Sequence, residues 1–215
     1  MTEQVLKTIK NLKKNNMDVF YAESKEQALK TVEEILVEGK SVAVGGSMTL
    51  NEIGAMELLR SGKYNFYDRY AANSEEERQK IMKSAFTADF FMCSSNAITE
   101  NGELYNVDGF ANRISAILYG PETVIIVAGV NKIVANLKEA GLRVKQIAAP
   151  KNTVRLEIPT YCNKTGHCVA LDNGNAEMCS GCASGARICC NYLVSAAQRV
   201  KGRIKVVLVN ESLGY

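Results

Sequence analysis

Residues Ala88 to Lys132 read ADFFMCSSNAITENGELYNVDGFANRISAILYGPETVIIVAGVNK. The segment opens on a short apolar run of strand length, Phe90-Phe91-Met92-Cys93. It breaks into Ser94-Ser95-Asn96-Ala97-Ile98-Thr99-Glu100-Asn101-Gly102, small and polar, with turn chemistry at Asn101-Gly102. A second short run follows at Glu103 to Val107, then Asp108-Gly109, then a helical run from Asn112 to Leu118. Gly120-Pro121 punctuates, and a β-branched run, Val124 to Val127, closes on Gly129. Apolar strands around a helix, with hydroxyl, amide and charged residues at their ends, describe an α/β ligand site. Arg113 is the one cation before Lys132 that could pair with an anion there. The alternative is that these polar residues only cap helices and make turns.

Working outward, the 215 residues suit a single domain spanning 1–215. A hydrophobic fraction of 47% fills a core, and a net charge of +3 gives no case for nucleic acid. The N-terminal MTEQVLKTIKNLKKNN is polar, with no signal-peptide core, and no apolar run reaches membrane-spanning length. The expectation is a soluble, cytoplasmic chain. Six of its seven cysteines lie between Cys162 and Cys190. In a reducing compartment that clustering points to metal or redox chemistry rather than disulfides.

The rest alternates helix and strand. Val5, Leu6, Ile9 and Leu12 share a helical face, predicting a helix from about Glu3 to Asn15. Val19-Phe20-Tyr21 reads as a strand. Ser24 and Gln27 form a capping pair before a helix stopped by Gly39. Ser41 to Val44 is a strand running into Gly45-Gly46-Ser47-Met48-Thr49, where Thr49 and Glu52 read as the next capping pair. Two glycines turn the backbone sharply and present N–H groups, as a phosphate or carboxylate site would, or as a tight turn would without any ligand. Asn65 to Tyr67 is a strand, and Ser74 with Glu77 caps a helix carrying Ile81, Met82 and Ala85. A helix is expected over Ile133 to Ala140, closed by Gly141, and a strand over Val144 to Ile147. At Pro159 the composition shifts. Residues 160–190 form a Cys-rich insertion within the domain, and a strand at Arg203 to Val209 rejoins the sheet. The fold class is α/β, a mostly parallel sheet flanked by helices.

Four long motifs, GGSMTLNEIG (Gly45–Gly54), SSNAITENGELYNVDGFANR (Ser94–Arg113), YGPETVIIVAGVNKIV (Tyr119–Val134) and AAPKNTVRL (Ala148–Leu156), resemble the LUD (lactate-utilisation) domain family. So does the tail: Thr160-Tyr161-Cys162, Gly166-His167-Cys168, the run Cys182 to Cys189, and Leu213-Gly214-Tyr215. The resemblance implies a fold similar to ribose-5-phosphate isomerase and CoA transferases, with a pocket at the strand C-terminal ends. It also implies participation in oxidising lactate to pyruvate within a multi-protein iron–sulfur system. Cys162, Cys168, Cys182 and Cys189 match the family's four cysteine positions. Tyr161 stands where the family has proline, and an insertion at about 170–178 brings Cys179, which could replace a family ligand.

The expected site follows. Gly45, Gly46, Ser47 and Thr49 form one wall of an anion pocket, with Ser95, Asn96 and Thr99 on the other and Asn112 and Arg113 completing it. Asn131 and Lys132 follow the apolar strand, and Lys132 could hold an anionic substrate or stand in water at a helix entry. Glu100 and Asp108 are candidate bases or carboxylate nucleophiles, or else turn residues. Cys93 reads as core and His167 as a loop residue. Four thiolates serve a [4Fe–4S] cluster or structural Zn2+ alike. The functional expectation is a possible oxidoreductase subunit acting on a small anionic metabolite with redox partner subunits, homo-oligomerisation remaining compatible. The alternatives are a zinc-stabilised sensor or structural protein, or a CoA-transferase- or isomerase-like enzyme. One histidine makes a Ser-His-Asp hydrolase a poor fit.

Overall fold

The computed structural model describes residues 1–215. Ten strands form: β1 Asp18–Ala22, β2 Ser41–Val44, β3 Asn65–Tyr67, β4 Phe90–Cys93, β5 Ala97–Thr99, β6 Leu104–Asp108, β7 Thr123–Gly129, β8 Ile133–Val134, β9 Asn191–Ser195 and β10 Ile204–Val209. Six of them make a fully parallel sheet in the order β1-β10-β7-β4-β2-β3. The other four make a small mixed sheet, β8-β5-β6-β9, in which only β5 and β8 run parallel.

The continuous apolar run of β7 is explained by its central place. Helices cover both faces, so successive side chains each find a core. Ile126 and Ala128 join Phe91, Val206 and Leu208 under helices Glu3–Lys14 and Asn112–Leu118. Ile125 and Val127 join Met92 and Val207 under helices Lys25–Ile35 and Ala55–Leu59. The last strand of the chain, β10, inserts between β1 and β7, as expected for a returning tail.

Ser24 and Ser74 cap their helices as read from the sequence, accepting from the backbone N–H of Gln27 and Glu77. Three expectations need correction. Ser47, not Thr49, caps the helix Met48–Glu52, accepting from the Leu50 N–H at 3.3 Å, and Thr49 turns inward instead. Ile133 and Val134 are strand β8, and the helix begins only after Asn136, whose side chain accepts from the Glu139 N–H. That helix does not stop at Gly141. It runs unbroken from Leu137 to Arg155, and the expected strand at Val144 to Ile147 is a π turn, Val144–Ala148, within it. Pro150 follows that turn. A proline ring clashes with the carbonyl four residues back, and a widened turn makes room for it.

No helix is long and apolar enough to cross a membrane. The Cys-rich insertion holds two short helices, Tyr161–Thr165 and Val169–Asp172, and otherwise irregular backbone up to β9.

Candidate functional site

Strands of a parallel sheet all end on one edge, and the loops beyond them meet there. Gly45 to Thr49 follow β2, Ser94 follows β4, Asn131 and Lys132 follow β7, and Glu211 to Tyr215 follow β10. Lys132 sits at their meeting point, only 2% exposed. Its Nζ donates to Thr49 Oγ1 at 3.0 Å and to Ser94 Oγ at 2.9 Å, and no carboxylate pairs with it. Burial, then the nearby Arg143 and Arg113 guanidiniums, pull its pKa down to about 7. Glu52 is the opposing carboxylate of this region, and it accepts the Gly214 N–H at 2.6 Å.

The chain's tail closes over this lysine. Asn131 accepts from the Leu213 N–H at 3.1 Å and donates weakly to the carbonyls of Leu213 and Gly214. Gly214 has a positive φ of 56°, and a Cβ there would stand 3.2 Å from Lys132 Nζ. Only glycine therefore lets the backbone pass this close. Tyr215 accepts from Arg155 Nε at 2.7 Å.

A second polar layer lies against the first. Arg113 donates through its terminal nitrogens to the carbonyls of Ser94 and Val107, to Asn96 Oδ1 at 2.8 Å, to Asn106, and to Asp108 Oδ1 at 2.7 Å. Asp108 Oδ2 accepts the N–H groups of Arg113 and Ile114, capping their helix. Asn96 also receives the Val107 N–H, and Ser95 donates to the carbonyls of Ala97 and Tyr105. The Arg113 terminal nitrogens, the Asp108 carboxylate, Asn96 Oδ1 and the Ser95 hydroxyl are thus all engaged with protein groups. Arg143, also buried, joins the two layers by donating to the carbonyls of Asn131 and Asn96.

Two expected residues lie elsewhere. Thr99 exchanges hydrogen bonds with Glu103 at the far end of β5. Glu100 sits on the following turn and pairs with Lys7 at 2.8 Å and Gln4 at 3.0 Å, tying down the N-terminal helix. Those contacts hold its carboxyl below the usual range. Asn112 lines a cleft of about 260 Å³ together with Arg69, Tyr67 and Met82. Cys93 is fully buried and its thiol is pushed up to about 12, as a core residue's would be. Arg69, Arg155, Ser94 and Tyr215 were not singled out from the sequence. Ser94, Arg155 and Tyr215 lie inside the quoted motifs and Arg69 in none, but nothing in the linear sequence gives them a role, and they meet only through the fold.

The Cys-rich insertion packs back on the helix Leu137–Arg155. Cys162, Cys168, Cys182 and Cys189 all line one pocket, with Tyr105, Lys145 and Arg187. All seven thiols are free, and Cys179 is exposed. Burial, then the neighbouring Cys162 and Cys168, push the Cys189 thiol up to about 12. Arg187 braces the loop, donating to the carbonyls of Cys189 and Cys179 at 2.8 and 2.7 Å. Lys145, also buried, bonds Ser180. The Tyr105 hydroxyl, buried in the same wall, has no hydrogen-bond partner. A buried orphan hydroxyl in the wall of a thiol-lined pocket, near Cys179 and Cys189, fits a bound group with acceptor sulfurs. No group of three or more His, Cys, Asp and Glu side chains is gathered closely enough to hold a single metal ion. His167 bonds Asp172 at 2.7 Å instead.

A family model described as LUD domain matches residues 5–209. No curated protein is similar enough to the chain to count as a match. Among solved structures, a DUF162 family protein from Deinococcus radiodurans superposes with a TM-score of 0.54 at 13% identity, over 96% of this chain and 96% of that one. That likeness is one of fold. eIF2B beta from Chaetomium thermophilum has a TM-score of 0.37 at 16% identity, over 53% of this chain and 44% of that one. Ribose 5-phosphate isomerase from Plasmodium falciparum has a TM-score of 0.33 at 19% identity, over 52% of each chain. These two are too loose to carry an argument.

Proposed function

The chain belongs to the LUD domain family, and on that premise we propose that it is a component of an iron–sulfur-dependent system that oxidises lactate to pyruvate. In this reading a small 2-hydroxy or 2-oxo carboxylate binds at Lys132. The observation that carries it is the lysine itself: a buried amine with two hydroxyl partners, no carboxylate partner, and two guanidiniums nearby. A buried cation without a counter-ion is costly, and a bound carboxylate would supply one. Thr49 and Ser94 would aim the amine, and the Leu213-Gly214 backbone would exclude water above it.

Cys162, Cys168, Cys182 and Cys189 are the residues that would hold the cluster, which supplies one-electron transfer when bound. Supporting this are four free thiols on one cavity and the orphan Tyr105 hydroxyl among them. Four thiolates on one zinc ion stand about 3.8 Å apart, given a Zn–S bond of about 2.3 Å. Metal analysis, rather than the thiol arrangement, separates the cluster from zinc. Helix Leu137–Arg155 links the two regions. Arg143 faces the lysine site, while Val144, Lys145 and Ala149 line the thiol cavity.

Anaerobically purified protein should be brown, with iron and sulfide in about equal amounts. Colourless protein carrying one zinc would replace this reading with the zinc-stabilised alternative. Calorimetric titration should show pyruvate or lactate binding that Lys132→Met abolishes. If the variant binds as well as the parent, the lysine is not the carboxylate site.

A further inference from the structure

Above Gly46, at the end of β2, two arginines from distant parts of the chain converge. A Cβ built on Gly46 would stand 2.8 Å from an Arg69 Nη2 and 3.9 Å from an Arg155 Nη2, with the Tyr70 hydroxyl at 3.7 Å. Both guanidiniums are oriented by neutral partners. Arg69 lies over the Tyr70 ring, 4.9 Å from its centre, and donates to the Tyr70 hydroxyl at 3.0 Å. Arg155 donates to Tyr215 at 2.7 Å and to Asn152 Oδ1 at 2.8 Å. Neither has a carboxylate. Asp68, next in sequence to Arg69, is paired with Arg60 at 2.8 Å, and Glu52 holds the Gly214 N–H.

Like charges repel unless something justifies bringing them together. Here no carboxylate in the chain does so, and Gly46, having no side chain, lets the Arg69 guanidinium lie against its backbone beside Arg155. We infer that Arg69, Arg155 and the Gly46 cradle form an oxyanion subsite for a phosphoryl group, distinct from the carboxylate position at Lys132. Two guanidiniums match the charge of a phosphate dianion, whereas a carboxylate would leave one of them unbalanced. Tyr215 joins the two subsites, since the residue before it covers Lys132 and its own hydroxyl holds Arg155. This rests on the reading that the C-terminal edge of the large sheet is the binding face, and it adds a second charged group to what binds there.

The test is calorimetry on the full chain at low ionic strength, with inorganic phosphate, glycerol 3-phosphate and pyruvate as separate probes. Phosphate or its ester should bind, and Arg69→Gln and Arg155→Gln should each weaken that binding about tenfold or more. Tighter binding of the ester assigns the subsite to a phosphorylated metabolite; equal binding assigns it to free phosphate. Gly46→Ala should also weaken binding while leaving the melting temperature unchanged, because the atom it meets is the movable end of Arg69. Arg78→Gln, at an exposed helix position, serves as the control. Phosphate binding no tighter than chloride, or untouched by all three variants, overturns the inference. Pyruvate binding that survives this outcome would leave the Lys132 reading standing. Phosphate binding without pyruvate binding would do the reverse.

Discussion

Lys132 Nζ lies 3.0 Å from the Oγ1 of Thr49, a residue 83 positions earlier in the chain. The contact requires that Thr49 not cap its own helix. Ser47 takes that role, which frees the threonine hydroxyl to face inward. The loop after β2 and the loop after β7 are thereby locked together beneath the tail.

The buried amine should make stability rise with pH. Unfolded, Lys132 keeps its proton up to about 10.5, but folded only to about 7. Between those values the unfolded chain binds more protons, so raising the pH favours the folded state. Below the lower value both states carry the charge, and the cost of burying it is fully present. Chemical denaturation at pH 7 and pH 9 should show the parent gaining stability over Lys132→Met across that interval. Parallel curves would mean that the lysine is charged throughout.

Anion binding at the same amine should take up a proton. A carboxylate beside Nζ favours the ammonium and raises its pKa from about 7. At pH about 8.5 the free amine is mostly neutral and the bound one charged. Calorimetry in buffers of different ionisation enthalpy should therefore read close to one proton gained with pyruvate, and none with Lys132→Met. Proton release instead would place the anion away from the lysine.

Arg113 should behave as scaffold. Its terminal nitrogens and its Asp108 partner, both largely buried, are filled by protein groups. Asp108→Ala breaks a buried pair and removes a helix cap, and should cost about 3–5 kcal/mol. Arg113→Lys loses the fork and should lower stability by more than it weakens ligand affinity, as urea melts beside titrations would show. An affinity loss at unchanged stability would return Arg113 to the ligand.

The large sheet was legible in the sequence because its central strands, β4 and β7, are buried on both faces and so are apolar throughout. The small sheet was not. Ile133 and Val134 make only two residues of strand, and the helical periodicity behind them masked the break at Asn136. Val144 to Ile147 has strand composition, yet it lies in a helix that turns Val144 and Lys145 toward the thiol pocket and leaves Gln146 and Ile147 exposed. Of the expected site, the loops after β2 and β7 carry motifs. Arg69 stands in a polar loop after β3 and Arg155 in the last turn of a helix, and only the fold brings them to one point.

The exposed Cys179 and the cavity-lining Cys182 make a sharp pair for testing the cysteine set. Cys182→Ser should release the metal and loosen residues 160–190, leaving the large sheet folded, because its strands pair without that loop. Cys179→Ser should keep the metal. Hydrogen exchange and metal analysis read both outcomes. Full metal retention in the Cys182 variant, or loss in the Cys179 variant, would exchange their roles.

Tyr105→Phe distinguishes an empty cavity from a filled one. The hydroxyl is buried and unpartnered among the thiols. In metal-free protein its removal deletes an unsatisfied polar group, so stability should hold or rise, by about 1–3 kcal/mol at most. In protein loaded with a cluster, the same hydroxyl would donate to a cluster or cysteine sulfur. Its loss should then destabilise the loaded form and lower the reduction potential, since hydrogen bonds to sulfur favour the reduced state. Opposite signs in the two forms would tie Tyr105 to the bound group. The same sign in both would mean that the hydroxyl serves packing alone.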